Sequence, residues 1–333
     1  GAVIVHYLLL PDKVHILLTT PTVQIHRESA ISQAELNKLV FQYRDILQSP
    51  SRDPVPTAKA LYDALIAPIA PDLQQAGAKV LMLSLDGALR YLPFAALHDG
   101  ERYLAQRYRL AMYTEAARDK LKDPPAADWR LAGLGVTKAF EGFSPLPAVR
   151  EELDGIAGSG GKGVLPGEVH LDQEFDRPRL RDALERGFPV VHLATHFVFQ
   201  AGTDADSYLL LGDGSRLTLR EVKESNLSFG DVDLITLSAC DTANFGGRDA
   251  NGREVEGLGA MLQKQGARSV VATLWPVADE STALFMREFY RLRTAEKLTK
   301  AEALRRAQAE FIDGRAKAGG RSLAHPFYWA PFI

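Results

Sequence analysis

Two segments decide the reading of this chain, 190-VVHLATH-196 and 234-LITLSACD-241. Each opens as a near-continuous apolar run and ends at a reactive side chain, His196 in the first and Cys240 in the second. Short runs rich in Val, Ile and Leu fit strands buried on both faces, as in a parallel sheet covered by helices. In such sheets reactive groups gather beyond the carboxyl ends of the strands. A His and a Cys at the ends of neighbouring parallel strands would therefore converge, although they stand 44 residues apart. His192 shares a strand face with His196 in an extended chain and is the alternative partner. It sits one pleat deeper, which suits a structural role.

Outward from these segments, further apolar runs at 79–84 (KVLMLS), 130–136 (RLAGLGV) and 269–273 read as strands, and 107–113 as another short one. Residues 2–10 and 14–20 read as a hairpin turned by Pro11-Asp12-Lys13. Helical patterns cover 32–48 and 57–76, with Pro54 and Pro56 placed where prolines open a helix; another lies near 149–156. Strands alternating with helices predict an α/β fold with a mostly parallel sheet, helices on both faces. The polar stretch 120–129 (KLKDPPAADW) reads as a linker between two α/β halves. Asp213-Gly214 suits a hairpin turn. The glycine-rich 158–163 (GSGGKG) lacks the spacing of a phosphate loop.

Composition narrows the function. Of 333 residues 46% are hydrophobic and 24% charged, as in an ordinary globular protein. A net charge of -3 offers no electrostatic basis for binding nucleic acid or an anionic membrane. No apolar run reaches the length of a membrane span. The opening GAVIVHYLLL lacks the features of a signal peptide and reads as a strand entered mid-protein, with Gly1 suggesting a piece of a longer chain. One cysteine excludes an internal disulfide and a Cys-rich metal site, and fits a cytoplasmic setting. No metal or organic cofactor is expected.

Any thiol chemistry must occur at Cys240. By default a single buried Cys is a small core hydrophobe, and a single His a hydrogen-bonded structural residue. Their pairing at strand ends sets these two apart. A thiolate can attack a carbonyl while an imidazole carries the proton to the leaving group, and a neighbouring His keeps the thiol partly ionised.

Several ordered blocks then resemble the CHAT domain: LSLDGALRYLPFAALHDGERYL (83–104), HLATHFVF (192–199), SYLLLGDGSRLTLREV (207–222), LITLSACDTA (234–243), the long block 254–290 and HPFYWAPF (325–332). That family belongs to the group of proteases including caspases, separase and clostripain. The resemblance implies a three-layer caspase-like sandwich in two tandem halves, an inactive one at 1–125 and a protease half at 126–333. It implies a cysteine endopeptidase with a dyad carried onto His196 and Cys240, at a separation like that between the caspase His and Cys. The backbone N–H groups of Phe197 and Cys240 would bind the oxyanion, with Phe197 standing where many relatives have Gly. Separases carry a similar tryptophan-to-aspartate run to Trp275–Asp279, which implies that Asp279 receives an Arg or Lys side chain before the scissile bond. Asp279 as the N-cap of the following helix is the competing reading. The polar loop 241–253 would be a mobile rim beside the nucleophile. By the same resemblance the partners are a protein substrate and a regulatory helical-repeat region upstream. The rival reading is a non-catalytic scaffold that binds a protein partner.

Overall fold

The computed structural model describes residues 1–121, 126–157, 163–198, 207–225, 227–238, 253–275, 277 and 279–333, with the backbone alone at 253–258 and 279. In the front part, β1 (Ala2–Leu9) and β2 (Val14–Thr19) form the expected antiparallel hairpin. β3 (Gln24–Ser29) extends it. This strand was not foreseen, because QIHRES offers one apolar side chain and lies on an exposed edge. α1 (Gln33–Leu47) starts from a capping box in which Ser32 Oγ accepts from the Glu35 N–H and the Glu35 carboxylate accepts from the Ser32 N–H. It buries Leu36, Val40, Tyr43 and Leu47 along one face.

The helix expected over 57–76 is instead α2 (Val55–Leu65), a 3-10 turn at Ala67–Ile69 and α3 (Ala70–Gln75). Pro68 and Pro71 interrupt it, since each lacks a backbone donor and its ring crowds the preceding turn. β4 (Val80–Ser84) then pairs parallel with β1, and after α4 (Leu104–Arg107) β5 (Arg109–Met112) pairs parallel with β4. The front sheet has the order β3-β2-β1-β4-β5. α5 (Glu115–Arg118) follows it.

The rear part runs β6 (Leu131–Gly135), α6 (Val149–Ala157), β7 (Gly167–Leu171), α7 (Arg177–Glu185) and β8 (Val190–Ala194). A small antiparallel sheet comes next, β9 (Phe197–Val198), β10 (Tyr208–Leu210) and β11 (Arg216–Thr218). Gly214 turns the β10–β11 hairpin at φ +86, where a Cβ would also strike the Phe140 ring at 2.9 Å. Then come α8 (Leu219–Glu224), β12 (Leu234–Leu237), α9 (Arg253–Lys264), β13 (Val270–Ala272), α10 (Asp279–Ala295) and α11 (Lys300–Ile312). The rear sheet has the order β13-β12-β8-β6-β7, and all its pairings are parallel.

Alternation along the central strands builds the layers. Val190, His192 and Ala194 face α6 and α10, while Val191 and Leu193 join Leu180, Leu184, Val222 and Leu262 on the opposite side. Both faces of β8 and β12 are thereby buried. The architecture is α/β in three layers, with mostly parallel sheets. One apolar cluster runs from Val3 through Phe285 and Phe289 to Phe332, so front and rear parts share a core. Trp129, at the end of the expected linker, is part of that core, and its indole N–H donates to Asp233 at 2.8 Å.

An ionic cluster ties β5 to α11. Arg109 donates to Glu302 at 2.7 Å, and Arg305 and Arg306 donate to the same carboxylate. These bonds, that from Arg305 foremost, outweigh burial and hold the Glu302 carboxyl at about 2. A group held so low stabilises the fold fully above its ordinary value of 4.5, and that contribution fades as pH falls toward about 2. Glu302→Gln should lower stability at pH 7 by about 1–3 kcal/mol. Melting curves against pH should show the gap from wild type closing in acid; a constant gap would contradict the ionic origin.

Candidate active site

β8 and β12 lie side by side with Val190 opposite Leu234, Ile235 opposite Val191, Thr236 opposite His192 and Leu237 opposite Leu193. Each pair is 44 residues apart, the same separation as His196 and Cys240. The ladder is extended by the Ser238 N–H, which donates to Leu193 O at 2.9 Å. Adjacent strands lie about 4.8 Å apart. His196 stands two residues past the end of β8, and Cys240 stands two past Ser238 in sequence. Cys240 itself and all of the expected rim 241–253 except the Arg253 backbone, which opens α9, lie outside the described residues, as does most of the glycine-rich run, 158–162.

His196 is 6% exposed. Its ring packs against Phe143 at a centroid distance of 4.9 Å, and its Nε2 lies 3.0 Å from the Ser144 carbonyl oxygen. A carbonyl can only accept, so Nε2 carries the proton and Nδ1 is the lone-pair nitrogen of the neutral ring. Neither Phe143 nor Ser144 was singled out from the sequence. A backbone carbonyl has no residue-type signature, and the two lie 53 and 52 residues upstream in a loop after β6.

The geometry separates the two histidines. His192 is fully buried, its Nδ1 3.2 Å from the Tyr290 hydroxyl and its Nε2 2.9 Å from a Glu152 carboxylate oxygen. The Tyr290 hydroxyl also lies 2.7 Å from Thr236 Oγ1. His192 thus joins β8 and β12 to α6 and α10, and it shares none of these partners with His196. Strict alternation would have put both on one face. The strand ends at Ala194, however, and the chain turns through Thr195 before His196.

Phe197 opens β9, and its ring is buried in the core behind the rear sheet. Its φ is not positive, so this backbone makes no demand for glycine. In the β9–β10 ladder the Leu210 N–H donates to His196 O at 2.9 Å, with Phe197 opposite Leu209. Alternate residues of an antiparallel strand direct their polar groups to opposite sides. The Phe197 N–H therefore points away from β10, and β9 is the edge of its sheet. Asp279 is the first residue of α10, one position inside the expected cap, and its side chain is outside the described residues. Trp275, before it, is fully buried and donates to Phe327 O at 3.2 Å.

The described part of the arrangement offers an imidazole oriented by a main-chain carbonyl, an edge backbone donor beside it and a neighbouring strand followed in sequence by Cys240.

Comparison with known proteins places the chain. Tetratricopeptide repeat protein 28 of Mus musculus is 25% identical over 338 residues, covering 83% of this chain and 13% of that protein. The Homo sapiens protein of the same name is 24% identical over 335 residues, covering 84% and 13%. The chain thus spans about an eighth of the length of these curated relatives. Among solved structures, the complex of Porphyromonas gingivalis RgpB pro- and mature domains has a TM-score of 0.48 at 11% identity, over 90% of this chain and 75% of that one. The Arg-specific cysteine proteinase gingipain R gives 0.45 at 12%, over 89% and 73%. No helix among the described residues is long and apolar enough to cross a membrane. The model of the CHAT domain matches residues 55–333, a span that takes in β4 through α11 and both strands that lead to His196 and Cys240, and the chain belongs to the CHAT domain family.

Proposed function

We propose that this chain is a cysteine endopeptidase in which Cys240 is the nucleophile and His196 its proton carrier. The observation that carries this reading is the β8–β12 register, whose constant offset of 44 residues equals the separation of the two side chains. His196 Nδ1 takes the thiol proton as sulfur attacks the carbonyl carbon of the scissile bond. The oxyanion accepts from the backbone N–H of Phe197 and of Cys240. Collapse breaks the C–N bond, and His196 returns the proton to the leaving amine. Water then attacks the thioester with His196 again as base, releasing the carboxylate and restoring the thiol. The catalytic elements fall in residues 126–333, and 1–125 form a non-catalytic front half. A protein substrate reaches the site under control of helical repeats upstream. The names of the curated relatives, and the eighth of their length that this chain spans, support that control.

Incubation with a peptide bearing a thiol-reactive acyloxymethyl ketone, read by intact mass, tests the reading. One adduct at Cys240 is expected, and His196→Ala should abolish it. A scaffold that merely retains the fold would give no peptide-dependent adduct.

Substrate choice is assigned to Asp279. A carboxylate receiving the residue before the scissile bond favours Arg or Lys, because a neutral side chain leaves it desolvated and unpaired at about 1–3 kcal/mol. That corresponds to roughly ten- to hundredfold in kcat/KM. Asp279→Asn should erode the preference for Arg and Lys in a peptide library while alkylation of Cys240 by iodoacetamide continues. Preference for Asp or a large apolar residue in the wild type would leave Asp279 as an acidic residue of the first turn of α10.

A further inference from the structure

The two large sheets face each other through edge strands, β5 from the front and β13 from the rear. Between them lies a cavity of about 640 Å³, within the range of small-molecule sites. Its walls are apolar: Met82, Leu110 and Met112 on the front side, Val270 and Ala272 on the rear, with Leu304 of α11 closing it. β5 is only half-buried along its length, whereas β8 and β12 are buried throughout. The segment ending at Ile333 exchanges backbone bonds with β13 only at Ala272, at 3.0 Å each way. The beginning of β13 still borders the cavity.

Among the described residues the charges are one-sided. Arg90, Lys120, Arg268, Arg293, Lys297 and Lys300 line the cavity, and no described Asp or Glu does. Five of the six gather where β12 and β13 begin. Arg268 and Lys300 both donate to Asp233, at 3.0 and 2.8 Å. Arg293 stacks on Trp129, which also donates to Asp233. Lys120 reaches Gly266 O, two residues before Arg268. Lys297 is exposed and forms no ion pair among the described residues. Among the described residues one carboxylate thus faces three nearby cations, and Nε of both Arg268 and Arg293 is buried without an acceptor. Burial holds the Lys300 ammonium below the ordinary lysine range, and repulsion from Arg268 and Arg293 adds to it. An excess of positive charge beside an apolar chamber is costly unless an anion completes it.

We infer that this cavity binds an amphipathic anion, an apolar chain ending in one carboxylate or phosphate, with the chain between β5 and β13 and the anion at the cationic end. The site lies at the opposite end of the rear sheet from His196, and its occupant would touch both parts of the molecule. It stands or falls independently of the reaction proposed above, because its test reads no proteolysis.

Binding of 11-(dansylamino)undecanoic acid, followed by fluorescence below its critical micelle concentration, tests the inference. Saturable 1:1 binding is expected, displaced by tetradecanoate or tetradecyl phosphate at least tenfold more effectively than by 1-tetradecanol. Lys297→Glu, an exposed substitution that leaves the core intact, should weaken binding by tenfold or more, and Leu304→Trp should abolish it by filling the chamber. Absence of saturable binding, equal displacement by the alcohol, or affinity unchanged in both variants would overturn the assignment. So would competition by an extended peptide where neither anionic amphiphile competes.

Discussion

Cys240→Ala and His196→Ala are each expected to lower peptide hydrolysis by at least about 10⁴-fold, with the melting temperature close to wild type. The magnitude follows from the way a nucleophile and its base act as one unit, so that loss of either removes nearly all covalent catalysis. Folding should survive, because His196 lies beyond the end of β8 and its Nε2 bonds a loop carbonyl rather than the sheet. The control is His192→Ala. It opens a gap between β8, α6 and α10, takes the buried imidazole from beside the Glu152 carboxylate and leaves the Tyr290 hydroxyl with Thr236 alone. Stability should fall by about 2–4 kcal/mol, while the His196-dependent reactivity of Cys240 persists in the folded fraction. Full turnover by Cys240→Ala would refute the mechanism, and total loss of turnover by a fully stable His192→Ala would exchange the roles of the histidines.

Asp233→Ala should be the most destabilising single change to a charged residue, at about 3–5 kcal/mol. The residue is 1% exposed, and its carboxylate accepts from Trp129 at 2.8 Å, Arg268 at 3.0 Å and Lys300 at 2.8 Å. Removing it strands two cations and a buried indole N–H, with the desolvation cost of each left uncompensated. Burial opposes ionisation of Asp233, yet the bonds from Lys300, Trp129 and Arg268 more than offset it and hold the carboxyl below the ordinary aspartate range. Its contribution is therefore present above that range and is lost as pH falls through the lowered value. Asp233→Asn, which keeps the acceptor oxygen and the volume, should cost less than Asp233→Ala. Chemical denaturation of the three proteins gives the order, and equal stability of all three would show that the cluster contributes nothing net.

Much of the rear sheet was legible because its central strands are buried on both faces. Such strands must be apolar throughout, as 190–194 and 234–237 are, and they stand out against amphipathic helices. Edge strands carry the signal only where they are apolar, as 269–273 is; β3 and β7, also edges, are QIHRES and GEVHL, which hold no apolar run. The break between α2 and α3 was legible in Pro68 and Pro71, and apolar periodicity masked it. Trp129, the last residue of the stretch that reads as a linker, is held in the shared core by Asp233, 104 residues away. No local pattern encodes that distance.

Local pattern alone marks which strands are central, sets His196 and Cys240 after two of them, and carries the family resemblance over most of the chain. Local rules suffice for these, since burial on two faces dictates residue type and strand ends follow from where the apolar runs stop. The folded arrangement makes those two strands neighbours, because register is a property of a pair and not of either member. It also decided the tautomer of His196, through the main-chain oxygen of Ser144, and the separation of His192 from the site, through Tyr290 and Glu152. The cationic cavity between β5 and β13 belongs to the same class. Its charges come from residues 90 to 300, and they converge only when two sheets pack edge toward edge.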